Sequence, residues 1–220
     1  MKFIDIHTHT PSFDSDDVIS IVDISATAPP TLTAPTYCSY GIHPWFMTEK
    51  KAVLQLQQLE TLLQNNAIIA IGEVGFDVVR GADMALQEHI FENVVTLSEH
   101  YRKPLIIHCV KAYDKLLSYC KNRKIQQKWI IHGFYGNSDR ALQLTKQNIY
   151  LSFGAKLLNN AKLQSVFSKI PINFLFLETD TSKINITDIY QAAATIKKTE
   201  IKTIKHAVFE NFMNTVNKNL

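Results

Sequence analysis

Eight short apolar runs, separated for most of the chain by segments of helical period, restrict what these 220 residues can fold into. The runs cover residues 3–6, 18–24, 37–42, 67–71, 104–107, 128–131, 149–153 and 173–177. Their polarity does not alternate, the pattern of strands covered on both faces in a parallel sheet. Thr48 is placed to cap a helix with Val53, Leu56, Leu59 and Leu63 on its inner side. Ile90, Val94, Leu97 and Tyr101 repeat that spacing, and Tyr113, Leu116, Leu117 and Cys120 mark a third helix. Ser138 is read as the cap of a fourth, residues 157–167 as a fifth, and residues 187–196 and 199–216 as the last two. Strand followed by helix, repeated, predicts an α/β fold: a single (β/α)8 TIM-like barrel domain spanning residues 1–220.

The front of the chain departs from this rhythm. Only nine residues, 9–17, join the first two runs, and the next link contains Pro29, Pro30 and Pro35, which no regular helix accommodates. Nine extended residues reach about 30 Å, enough to return beside a short strand. The barrel is therefore expected to have shortened first βα connections, with no regular helix of three turns between His9 and Tyr37. A hydrophobic content of 46% against 20% charged residues is ordinary globular composition and argues against disorder. The net charge of +3 is too small to point to any partner. Three cysteines with no C-x-x-C pair argue against a disulfide scaffold. No signal-peptide core and no apolar stretch near the roughly 18 residues of a membrane span is visible. The expectation is a cytoplasmic protein with no membrane association and no obligate protein partner.

Chemistry gathers at the ends of the runs. The first ends in Asp5-Ile6-His7-Thr8-His9, and alternation along a strand turns His7 and His9 to one side, where they can chelate one ion. Glu73, His108 and His132 end the fourth, fifth and sixth, and Glu178-Thr179-Asp180 ends the eighth, with Glu178 and Asp180 expected to point the same way. In a parallel barrel these ends share the rim where active sites are built. A histidine after an apolar strand is commonly structural and a lone carboxylate commonly a cap, so the joint pattern carries the reading. Four imidazoles and two carboxylates exceed what one structural zinc uses. Two divalent metal ions, Mg or Zn, sharing a bridging carboxylate fit the set, and such a pair lowers the pKa of bound water and neutralises transition-state charge.

The stretches Asp5-Ile6-His7-Thr8-His9, Gly41-Ile42-His43-Pro44, Ile71-Gly72-Glu73-Val74-Gly75-Phe76-Asp77, Pro104-Leu105-Ile106-Ile107-His108, Ile131-His132-Gly133-Phe134 and Leu177-Glu178-Thr179-Asp180 together resemble the TatD family of metal-dependent hydrolases, within the amidohydrolase-like superfamily. Gln87 also stands where that family tends to have glutamine. The resemblance implies that His7, His9 and Asp180 serve one metal, that His108 and His132 serve the other, and that Glu73 bridges. It also implies phosphodiester hydrolysis, a deoxyribonuclease-like activity on DNA, with Asp180 and Glu73 as catalytic residues and His43 as the candidate phosphate contact. Departures lie at Lys111, three residues after His108, and at Thr181-Ser182-Lys183, where the family usually has proline after the aspartate.

Two other functions use the same residues. Related barrels hydrolyse amides or lactones of small molecules, often with a carboxylated lysine on the fourth strand; here Ile69-Ala70-Ile71 precedes Glu73 and no lysine is present there. A non-catalytic metal-binding barrel would not need the full ligand set. Trp45, Phe46, Phe134 and Tyr135 follow strand ends, where aromatics either pack the rim or stack on bases, and Lys111 and Lys156 are either solvated or meet phosphate.

Overall fold

Burial of continuous apolar runs on both faces produces the strands. The computed structural model describes residues 1–10, 16–25 and 37–216. Its strands are β1 (Phe3–Thr8), β2 (Val18–Asp23), β3 (Tyr37–Ser39), β4 (Ile68–Asp77), β5 (Leu105–Val110), β6 (Trp129–Ile131), β7 (Ile149–Phe153) and β8 (Leu175–Leu177). Strand order in the eight-stranded sheet is the chain order. The helices are α1 (Glu49–Leu62), α2 (Met84–Tyr101), α3 (Tyr113–Asn122), α4 (Ser138–Lys146), α5 (Ala161–Lys169), α6 (Ile186–Lys197) and α7 (Ile201–Val216). All eight expected strands and all seven helices are present. Among the described residues no helix is long and apolar enough to cross a membrane. The expectation of no helix between His9 and Tyr37 falls mainly on residues 11–15 and 26–36, outside the described residues; residues 16–25 of that stretch carry β2.

Three local details differ from expectation. In α1 the inner stripe is Ala52, Leu59 and Leu63, while Val53 is 65% exposed. Val53 stands one residue, about 100°, round the helix from Ala52. Asn137, not Ser138, caps α4 by accepting the Arg140 N–H at 2.8 Å. The segment expected as one helix over 157–167 is split into a 3-10 turn, Ala155–Leu158, and α5. Asn160 divides them: its side chain accepts the Leu163 N–H at 3.0 Å and starts a new helix.

The chain divides into two compact units, Met1–Val22 with Ile131–Leu220, and Asp23–Ile130. In the first, β1 pairs parallel with β2 and β7 with β8. Its core includes Phe134, Phe153 and Phe167, with ring centroids 5.6 and 5.0 Å apart in sequence. Asn211 of α7 donates to the carbonyls of Ile172 and Leu175, at 3.0 and 2.8 Å, and holds the start of β8. In the second unit β4 pairs parallel with β3 and β5. Phe91 of α2 lies against Phe76, Tyr119 and Trp129, with centroids at 4.7, 5.4 and 5.4 Å.

Two strands are irregular where they carry candidate ligands. Along β1, Asp5 faces Ser20 and Thr8 faces Val22, so Ile6 and His7 together oppose the single residue Ile21. Along β4, Ile71 faces Leu105 and Val74 faces Ile107, so Gly72 and Glu73 oppose Ile106 alone. An extra residue of this kind bends the strand and re-aims a side chain. At Gly72 the approach to β5 is too close for any side chain, because a Cβ there would lie 2.6 Å from that of Ile106.

The β1–α6 contact yields a stability test. The buried Tyr190 hydroxyl accepts the Ile4 N–H at 3.0 Å and donates to the Ile4 carbonyl at 2.9 Å, serving both main-chain groups of one strand residue. Tyr190→Phe leaves both without that partner and should lower the unfolding free energy by about 1–3 kcal/mol in a urea titration. A loss under ~0.5 kcal/mol would show that the latch contributes little.

Candidate metal centre

In the first unit the chain end of β8 is clasped by the chain end of β1. The Asp180 N–H donates to the His7 carbonyl at 3.0 Å, and the His9 N–H donates to the Asp180 carbonyl at 3.1 Å. Asp180 holds a left-handed backbone, φ 53°, which costs an L-residue on the order of 1 kcal/mol and which aspartate tolerates better than most. Its Oδ1 lies 3.5 Å from His9 Nε2 and 3.9 Å from His7 Nε2. One donor atom from each of His7, His9 and Asp180 falls within 4.8 Å of the other two, a spacing that fits one divalent ion. His7 is buried, whereas the Asp180 side chain is 39% exposed, so this triad opens to solvent on the aspartate side.

His132 belongs to the same unit, its ring centroid 4.5 Å from that of His7. Glu178 stands behind it, with Oε1 3.8 Å from His132 Nδ1 and accepting the Gly133 N–H at 2.6 Å. β8 ends at Leu177, so Glu178 and Asp180 both lie beyond the strand, and Asp180 turns into the left-handed region. Burial opposes ionisation of Glu178, but the neighbouring imidazoles of His132 and His7 outweigh it and hold its carboxyl below the usual range. Asp5, buried beneath, accepts from the Thr179 N–H at 2.9 Å and hydroxyl at 2.6 Å. Burial pushes its carboxyl up to about 7 despite those bonds.

In the second unit Glu73 is the centre. Its Oε2 lies 3.3 Å from His43 Nε2 and 3.3 Å from His108 Nδ1, and the three donor atoms again fall within 4.8 Å of one another. The two histidines are differently prepared. Asp77 Oδ2 sits 3.0 Å from His108 Nε2, which places the ring proton there and turns the Nδ1 lone pair toward Glu73. His43 Nδ1 accepts the Trp45 N–H at 3.1 Å, so its neutral form carries the proton on Nε2 and acts as a donor there. His108 thus has the form of a metal ligand, and His43 that of a group that donates to an oxygen.

Asp77 is itself held by several donors. It accepts the Trp45 indole N–H at 2.6 Å, the Val79 N–H at 2.8 Å and the Arg80 N–H at 2.9 Å. Burial opposes its ionisation, but these donors with His108 outweigh it and hold the carboxyl well below the ordinary carboxylate range. Gln87 fixes the Asp77 main chain, accepting its N–H at 2.8 Å and donating to its carbonyl at 3.1 Å. Gly75 completes the motif: with φ 134° and the His108 carbonyl 2.3 Å from where a Cβ would stand, only glycine fits.

The supports Asp77 and Glu178 were missing from the sequence-derived site, although both stand inside motifs quoted for the family. The signal that could have found them is a carboxylate four residues after Glu73 and one two residues before Asp180. Among the aromatics, Phe134 is buried on Phe153, while Trp45, Phe46 and Tyr135 are exposed.

Parallel strands in chain order alternating with helices, and ligand-type side chains at or beyond the strand ends, define an α/β-barrel hydrolase of the (β/α)8 type. The chain belongs to the TatD related DNase family, which matches residues 4–219. Among curated relatives, the uncharacterized metal-dependent hydrolase YjjV of Escherichia coli K12 is 27% identical over 206 residues, covering 81% of this chain and 79% of that protein. The 3'-5' ssDNA/RNA exonuclease TatD of Edwardsiella piscicida is 27% identical over 173 residues, covering 70% of this chain and 62% of that protein. The crystal structure of the Escherichia coli YjjV protein superposes with a TM-score of 0.81 over 98% of both chains at 24% identity, which establishes the shared fold. The chain is a TatD-type metal-dependent hydrolase.

The carboxylates behind the histidines lead to a binding prediction. Asp77→Asn and Glu178→Gln keep size and shape but weaken the hold on His108 and His132. Each should lower divalent-metal affinity by about 10- to 100-fold in calorimetric titration, with little change in circular dichroism. Unchanged affinity in both would remove the orienting role assigned to them.

Proposed function

We propose that this chain hydrolyses phosphodiester bonds in nucleic acid, as a deoxyribonuclease-like enzyme, using two divalent ions. His7, His9 and Asp180 would hold one ion and His108 and His132 the other, with Glu73 offered to both; all 220 residues act as one hydrolase domain. The observation that carries the reading is the His7–His9–Asp180 triad, whose donor atoms lie within 4.8 Å of one another in a chain of the TatD related DNase family. The exonuclease activity in the name of the Edwardsiella relative supports nucleic acid as substrate. The buried or half-buried free cysteines Cys38, Cys109 and Cys120 fit a reducing compartment, the cytoplasm.

Bound divalent ions supply Lewis-acid charge for the phosphoryl oxygens and lower the pKa of water. The chain's own groups supply the rest. The half-exposed Asp180 carboxylate, fixed through its main chain, accepts the proton of the attacking water on an Oδ atom. Glu73 offers two oxygens and so can face two cations. His43, protonated at Nε2, donates to a phosphate oxygen. Asp77 and Glu178 keep His108 and His132 from rotating, so that lone pairs stay where cations are held.

Asp180→Asn tests this directly, because asparagine keeps a coordinating oxygen and loses basicity. With metal content measured alongside, hydrolysis of labelled DNA, RNA and small phosphodiesters should fall by roughly 10²–10⁴-fold or more. Near-normal turnover at full metal occupancy would remove Asp180 from the role of base.

A further inference from the structure

The loops after β3 and β4 carry an apolar surface beside the Glu73 group. Phe46 is 62% exposed, Val78 54%, Val79 59% and Trp45 38%. Exposed apolar groups on two joined loops at a polar site mark a surface that something covers. The two loops are tied together, since the Ala82 N–H donates to the Pro44 carbonyl at 2.9 Å. Trp45 is already engaged on two sides: its indole N–H bonds Asp77, and the Arg80 guanidinium stacks 3.7 Å above its ring centroid. Phe46 lies 6.5 Å from Trp45 and 5.5 Å from the His43 ring, whose Nε2 is 3.3 Å from Glu73. A flat apolar ring thus stands beside the histidine that faces Glu73, with a guanidinium over the neighbouring Trp45.

We propose that Phe46, backed by Trp45 and Arg80, is the platform on which a base of the substrate strand stacks. This rests on the phosphodiesterase reading above and adds the residue that holds a base beside the site. A nucleotide joins a flat apolar face to an anion, and this surface offers an aromatic face and a cation in the same place. A protein partner would use the apolar groups but has no need of the Arg80 cation over Trp45. Stacking of this kind tolerates any base, so discrimination between sequences is not expected of it.

The test is equilibrium binding by fluorescence anisotropy, in chelator and at low salt, of a short labelled deoxyoligonucleotide and of an abasic strand of equal length. Wild-type protein should prefer the strand with bases. Phe46→Ala should weaken binding of that strand by about 5- to 100-fold and abolish the preference, and Phe46→Trp should restore it. A wild type that does not distinguish the two strands overturns the proposal, as does a Phe46→Ala protein that keeps the preference or loses affinity for both strands equally. Hydrolysis of a small base-free phosphodiester by metal-loaded wild-type protein reports separately on the phosphodiesterase reading. Its absence would sink that reading, whereas the strand comparison decides the role of Phe46.

Discussion

Asp180 is gripped through its main chain by the end of β1, giving its N–H to the His7 carbonyl and taking the His9 N–H on its own carbonyl. Residues far apart in sequence are thereby registered by two backbone hydrogen bonds rather than by their side chains. That matters because a carboxylate and two imidazoles gathered without an ion gain little by themselves, and side chains alone would not hold them within ligand distance. The clasp fixes where the chain of Asp180 runs, and its left-handed φ fixes where the carboxylate points. Strain at a functional residue is tolerated when the surroundings over-determine it.

The same division of labour recurs in the second unit. An extra residue in β4 turns Glu73 out of the regular ladder, Gly72 admits β5 at a distance no side chain allows, and Asp77 sets the ring of His108. Asp77 is in turn held by Trp45, two backbone amides and the main-chain grip of Gln87. The acidic groups thus serve two ends. Glu73 and Asp180 each stand among imidazoles of their own unit, while Asp77 and Glu178, both held below the ordinary carboxylate range, lie against His108 and His132.

Strand positions were legible because burial on both faces leaves a continuous apolar run, and every strand from β1 to β7 begins within a residue of where its run starts. The candidate ligands could be read as well, since these histidines and carboxylates interrupt such runs with side chains a core does not otherwise accept. What escaped was set by tertiary contact. β4 runs on to Asp77 rather than ending at Glu73, because the residues beyond Glu73 pair with β5. Val53 faces solvent although apolar, since the stripe of α1 is decided by Ala52 and Leu59. The tautomers of His43 and His108 depend on Trp45 and Asp77, partners that no spacing rule connects.

The central claim is that the chain's own imidazoles and carboxylates work only by holding a pair of divalent ions. It is tested most directly by the rate of phosphodiester hydrolysis as Mg or Zn is added back to chelated protein, with bound metal counted at each step. The account predicts no turnover in chelator and a rate that rises with metal and levels off at two bound ions per chain. Hydrolysis that persists in chelator, or that levels off with a single ion bound, would contradict it.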